Sequence, residues 1–133
     1  MATAIRRNGR FRFEVAYRDL GDDRGLAIHV FGPTSTTPDA EVLRFDCFEK
    51  QPHYHVAWSY RNDPFIPIEA EDPFSWAVAK LTNDLPKLLE QAAALPMNET
   101  EQSKTAETLE GVLTEGAGVL RLVQDSGEAS VTK

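Results

Sequence analysis

The amino-acid sequence predicts an α+β fold: a four-stranded antiparallel β-meander packed on one face by one kinked or two short α-helices, in two layers. Two observations carry this. The first half of the chain alternates apolar and polar residues with a period of two, as half-buried strands do. The second half repeats apolar residues at spacings of three and four, as an amphipathic helix does. The 133 residues suit one domain, and a hydrophobic fraction of 41% is enough to build a core.

Residues 10–18 set Phe11, Phe13, Val15 and Tyr17 on one face and Arg12, Glu14, Ala16 and Arg18 on the other. The segment Asp19-Leu-Gly-Asp-Asp-Arg-Gly25 is turn chemistry, and residues 26–31 alternate again, with Leu26, Ile28 and Val30 opposite Ala27, His29 and Phe31. Residues 32–40 read as a loop by composition. Residues 41–48 and 53–59 then flank Glu49-Lys-Gln-Pro52, a hairpin connection of ordinary length. Asp72-Pro73 supplies a cap acceptor followed by proline at the first helical position. Phe74, Ala77, Val78, Leu81, Leu85, Leu88, Leu89 and Ala92 form one apolar stripe. Pro86 interrupts it, where proline removes a backbone donor and clashes with the preceding turn, so a kink or break is expected near Asn83-Asp84. The stripe needs an apolar partner, and the sheet face offers one.

The domain so described covers residues 1–95. Residues 96–133 read as an acidic linker followed by a weakly helical tail. Leu109, Val112, Leu113, Val119, Leu120, Leu122 and Val123 could form an amphipathic segment, but Gly111, Gly116 and Gly118 each weaken a helix by roughly 1 kcal/mol. Charge follows the same division. Residues 1–64 hold nine basic and nine acidic side chains, whereas residues 65–133 hold five and twelve, which accounts for the net charge of −7.

This acidity argues against nonspecific nucleic-acid binding, which depends on neutralising phosphates with Lys and Arg. No run of about 20 apolar residues is present to span a membrane. The opening residues include Arg6 and Arg7 with no apolar stretch behind them, which predicts no secretory signal and a cytoplasmic location. The single cysteine, Cys47, excludes an internal disulfide and any zinc site built from paired cysteines.

Reading residues 49–52 as the hairpin loop sets Phe48 opposite His53, Asp46 opposite His55, Arg44 opposite Ala57 and Val42 opposite Ser59. The intervening pairs, Cys47/Tyr54, Phe45/Val56 and Leu43/Trp58, are almost wholly apolar and should face the helix, since a one-residue slip would expose them. Arg44, Asp46, His53 and His55 then lie on the opposite face, and alternation puts His29 there as well. These five residues are the candidate ligand-binding set. Two imidazoles two residues apart on a strand, with a carboxylate opposite, have the make-up of a two-His, one-carboxylate site. His53, His55 and Asp46 could therefore hold zinc or non-haem iron, with His29 as a further ligand. A solvated polar face with a single Asp–His hydrogen bond accounts for the same pattern without a metal.

Other residues offer less. Cys47 falls on the core face, where a thiol behaves as a small hydrophobe. Ser35, Ser59 and Ser75 sit in no Gly-x-Ser-x-Gly elbow, and Gly32-Pro33-Thr34 lacks the lysine and glycine spacing of a phosphate loop. Arg6, Arg7, Arg10 and Arg12 form a basic patch best read as a strand end kept soluble. Trp76 departs from the helical stripe, to pack against residues 64–68 or to meet a partner. Residues 59–68, with Tyr60, Pro64, Phe65 and Pro67, make a rigid apolar loop able to close one end of the sheet.

Residues 41–58 (Glu-Val-Leu-Arg-Phe-Asp-Cys-Phe-Glu-Lys-Gln-Pro-His-Tyr-His-Val-Ala-Trp), followed by Asp72-Pro-Phe-Ser-Trp-Ala77, resemble small bacterial proteins of a family with no assigned function, over about half the chain. More distantly, Leu43-Arg-Phe-Asp46 with a following His cluster is similar to the toxin component of TumE-type toxin–antitoxin pairs. The chain has two nearby histidines where that pattern has a longer cluster, and lacks a basic surface for RNA. Neither resemblance implies a catalytic residue.

With no strong catalytic motif, the sequence favours a non-catalytic binding or accessory-subunit module, with a protein partner or a second copy of itself and no cofactor. The alternative is a small metalloprotein or metalloenzyme using Asp46, His53 and His55.

Overall fold

The computed structural model describes residues 3–56 and 66–131, with side chains through residue 125. The sheet is open, wholly antiparallel and ordered β1-β2-β3-β4-β5-β6. Its strands are β1 (Thr3–Asn8), β2 (Phe11–Asp19), β3 (Arg24–Gly32), β4 (Ala40–Phe48), β5 (His53–Val56) and β6 (Ile66–Pro67). Helices α1 (Pro73–Gln91), α2 (Glu99–Ser103) and α3 (Thr105–Val131) follow. Among the described residues, no helix is long and apolar enough to cross a membrane.

The expected meander is present, but it has six strands and not four. β1 escaped the pattern because Ala4-Ile5-Arg6-Arg7 shows no alternation. What forms it is the turn: Gly9, at φ 60°, takes the first position of a two-residue connection between Asn8 and Phe11, where such hairpins favour glycine. β6 is too short to show any period. Its Pro67 has no N–H to donate, which suits an edge strand.

Asp72 caps α1 by accepting from the Ser75 backbone N–H at 3.2 Å and its hydroxyl at 2.9 Å. The helix then runs through Pro86 as one element, where a kink or two short helices were expected. Proline inside a helix costs about 3 kcal/mol. Leu81 and Leu85 precede it and Leu88 and Leu89 follow it, all four buried in one core. Each such side chain contributes about 1.5–3 kcal/mol, so burial on both sides outweighs the lost bond.

One helix could not cover this sheet. Six strands about 4.8 Å apart span roughly 24 Å, twice the width of a helix at about 10–12 Å. Accordingly α1 packs over β4 while α3 packs over β1 and β2 and against α1. Residues 96–133, read as linker and weak tail, thus contain α2 and α3 among the described residues, and Leu109, Val112 and Val119 are in the core. Two of the glycines in α3 mark close approaches. A Cβ at Gly116 would overlap the Phe74 ring, and one at Gly111 would press on the Arg6 guanidinium.

The α2 start is a capping box. Asn98 accepts from the Glu101 N–H and Glu101 accepts from the Asn98 N–H, each at 2.8 Å. Glu101 also accepts from the Arg10 backbone N–H and, through both carboxylate oxygens, from its guanidinium. A buried carboxylate thereby ties α2 to the β1–β2 turn. Those bonds, led by the Arg10 guanidinium and opposed by burial, hold the Glu101 carboxyl down at about 2.

Candidate metal centre

The helices lie on the face carrying Phe45 and Tyr54, whose rings stack at 4.8 Å, with Trp76 of α1 against Tyr54 at 5.8 Å. Trp76 therefore belongs to the core side, partly buried. The opposite face carries Arg44, Asp46, His53 and His55, as alternation requires.

Register differs from expectation by two residues. Asp46 stands opposite His53 and Arg44 opposite His55, while Phe45 pairs with Tyr54 and Leu43 with Val56. The expected pairs Asp46/His55 and Phe48/His53 are not formed. Partners assigned at Ala57, Trp58 and Ser59 fall outside the described residues, as does the loop over 59–65. The cause lies in the connection. Cys47 and Phe48 pair with Leu26 and Gly25 of β3, not with β5. Asp23, from the β2–β3 turn, accepts from the backbone N–H groups of Lys50 and Gln51 at 3.0 and 2.9 Å, which holds the turn wide. An even shift keeps every side chain on its face, so the candidate residues stay together.

Asp46 is 1% exposed and His55 7%, so this face is not simply solvated. Arg18 donates to Asp46 Oδ1 at 2.7 Å. It reaches from β2 across β3, where the small residues Gly25 and Ala27 occupy the same rows. The other oxygen, Oδ2, is buried and accepts no hydrogen bond among the described residues. Three nitrogens face it: Arg44 Nε at 3.3 Å, His53 Nε2 at 3.4 Å and His55 Nε2 at 3.9 Å. The two imidazoles meet edge to face, with centroids 5.0 Å apart.

His53 has a defined orientation. Its Nδ1 lies 2.8 Å from the carbonyl oxygen of Gln51. A carbonyl only accepts, so Nδ1 carries the proton, and in the neutral ring Nε2 then presents a lone pair toward Asp46 Oδ2. Two acceptors so placed, with the Arg44 guanidinium beside the oxygen, have the arrangement of ligands to a metal ion. A ring N–H fixed by a backbone carbonyl is the usual support of a metal-binding histidine. Donor atoms of Asp46, His53 and His55 all lie within 4.8 Å of one another. Bonds of about 2.0–2.2 Å would draw them together by up to roughly 1.4 Å. The donor set therefore fits zinc or iron(II).

His29 does not join them. Register puts Arg44 between it and His55. Its Nδ1 is 2.7 Å from Glu41 Oε2. Glu41 is on this face because of a bulge between Val30 and Phe31 on one side and Leu43 and Glu41 on the other, which turns Val42 inward. Cys47 is buried on the core face, where desolvation, then Asp46 and Asp72, pushes its thiol well above the usual range. The basic patch is dispersed: Arg6 bonds Glu115, Arg10 bonds Glu101, and Arg12 bonds Glu14 and Asp39.

Sequence reasoning missed Arg18 and Glu101. Arg18 could have been found from the small residues facing it on β3. The capping-box spacing Asn98-x-x-Glu101 signals α2, although nothing local names Arg10 as its partner.

Comparison with curated proteins and with solved structures finds no match. The profile of Domain of unknown function (DUF7700) matches residues 6–115, from β1 into α3 and across the whole candidate site. The chain belongs to that family of unknown function.

Proposed function

We propose that this chain is a small binding protein without catalysis of its own, and that the ligand its geometry supports best is a divalent metal ion of the zinc or iron(II) class. The ion would be held by Asp46, His53 and His55. The observation that carries this is Asp46 Oδ2, a buried carboxylate oxygen that accepts no hydrogen bond among the described residues and faces two imidazole nitrogens. Buried polar atoms are nearly always satisfied, and an exception calls for an ion or a water.

Thermal unfolding of tag-free protein with added zinc, iron(II) or manganese tests the reading. An ion that binds only the folded state at 100 times its Kd adds about 2.7 kcal/mol, a rise in Tm of the order of 10 °C at this size. His53→Ala and His55→Ala should abolish the rise, and His29→Ala should keep it. A Tm indifferent to all three metals would overturn the proposal.

A protein partner or second copy is the alternative reading. It is supported by Leu113 on α3, which is 43% exposed. Light scattering after size exclusion distinguishes a dimer from a monomer.

A further inference from the structure

The sheet ends in two unequal edges. β6 has two residues, one of them Pro67, whereas β1 has six and pairs on one side only. Register gives the direction of each backbone group on β1. The two-residue turn makes Asn8 and Phe11 a hydrogen-bonded pair, so the N–H and C=O of Asn8, Arg6 and Ala4 point toward β2. Those of Thr3, Ile5 and Arg7 point outward, and none of them meets a backbone partner among the described residues. Such a row is a template for one more strand.

A groove of about 250 Å³ lies between this edge and the start of α3, lined by Arg6, Arg7, Lys104, Glu107 and Thr108. Three cations there face one carboxylate, in a chain of net charge −7. Charges more than about 8 Å apart are largely screened at physiological salt, so an approaching chain meets the local sum and not the total. Arg6 is set in place. Its Nε donates to Glu115 at 2.9 Å, and its guanidinium lies over Gly111, where a Cβ would crowd it. Neither Arg7 nor Lys104 has an ion pair among the described residues. β1 itself, Thr-Ala-Ile-Arg-Arg-Asn, has no carboxylate. A second copy paired along this edge would bring two arginines from each strand together, and like charges across strands destabilise. An acidic strand meets the reverse, so the charge that keeps identical edges apart also selects what is admitted.

We propose that β1 takes up an extended acidic peptide segment of a partner protein as an added antiparallel strand. Main-chain bonds to Ile5 and Arg7 supply affinity, and the alternate side chains supply specificity. The partner residues opposite Arg7 and Arg6 are acidic, and the one opposite Ile5, itself 47% exposed, is apolar. In the partner's own direction the motif is acidic-acidic-apolar. The metal site takes no part in this contact.

The test follows the fluorescence anisotropy of a labelled peptide, Ser-Thr-Glu-Glu-Val-Thr-Ser, titrated with the full chain. Two controls accompany it: the same peptide with lysine for both glutamates, and the same peptide N-methylated at the first glutamate and the valine, whose N–H groups would bond to Arg7 and Ile5. The acidic peptide should bind, and each control should bind roughly tenfold more weakly, one for lost charge pairing and the other for lost main-chain bonds. Arg7→Glu should weaken binding by roughly tenfold, because it turns an attraction into a repulsion. Ile5→Pro keeps both arginines and removes an outward N–H, a change that an edge strand tolerates, and should weaken binding to a similar extent. If that variant does not fold, amide exchange in the parent replaces it: the N–H groups of Ile5 and Arg7 should exchange about tenfold more slowly with the peptide bound. Absence of binding would overturn the proposal. So would equal binding of the N-methylated peptide, which would mean charge attraction alone, or tighter binding of a labelled single-stranded oligonucleotide. A dimer in light scattering that Ile5→Pro dissociates would give the edge to a second copy and overturn it as well.

Discussion

Asp46 and Glu101 are both buried carboxylates, and their surroundings set them to different tasks. Glu101 is fully provided for. It accepts the N–H groups of Arg10 and Asn98 and a two-pronged contact from the Arg10 guanidinium, which also donates to the carbonyl of Pro96. Asp46 has one oxygen held and one left over. The satisfied group is a fastening, and the half-satisfied one is where a ligand gains most. The fastening has a pH signature. An ordinary value of 4.5 falls to about 2 in the folded chain, so the native state holds its proton more weakly than the unfolded state. The stabilisation is therefore complete above pH 4.5 and is lost as pH falls from there through 2. Its size is about 2–3 kcal/mol, with allowance for the water that reaches Arg10, whose side chain is 42% exposed. Urea unfolding of the parent and of Glu101→Gln should differ by that amount at pH 7 and converge near pH 2. A constant difference across the range would mean that the glutamine variant fails by packing and not by charge.

At the scale of elements, α3 shows how a helix with four internal glycines can still be a main component of the core. Gly116 gives room to the Phe74 ring, whereas nothing lies within 4 Å of a Cβ at Gly118. The two positions should respond oppositely to alanine. Gly118→Ala should stabilise by up to about 1 kcal/mol through helix propensity. Gly116→Ala should destabilise by about 1–3 kcal/mol through overpacking. Denaturation midpoints of the two variants decide it, and a gain at both would mean that α3 is not seated on α1 as described. The same helix marks where sequence reasoning reached its limit. The propensity argument weighed its glycines one by one and could not know that Phe74 and Arg6 needed the space. The strands from Phe11 to Val56 were legible because each buries one face, which writes a period of two into the chain. β1 and β6 were not, since an edge strand of mixed exposure and a two-residue strand carry no such period. The candidate site was legible as a face but not as a register. Parity fixes which way Asp46, His53 and His55 point. Their partners depend on Asp23, some 23 residues before Asp46, holding the 49–51 turn.

The whole molecule depends on a matching of widths. A sheet of six strands needs two helices side by side, and the second comes from the segment that the sequence alone separates as a tail. Leu109 and Val112 are completely buried, and Val119 and Met97 nearly so. This yields a sharp expectation for truncation. Ending the chain at residue 95 removes those four apolar side chains and the Glu101 fastening, and uncovers β1 and β2. Each buried aliphatic side chain contributes about 1.5–3 kcal/mol, so the loss is comparable to the 5–15 kcal/mol by which a domain is usually stable. The truncated chain should not fold, and should show neither a cooperative thermal transition nor a response to metal. A circular dichroism melt of the truncated chain supplies the measurement. A cooperative transition from residues 1–95 would show that the strands and α1 sustain themselves. The face carrying Asp46, His53 and His55 would then be independent of α3, and the proposed metal response could be tested in the shorter chain.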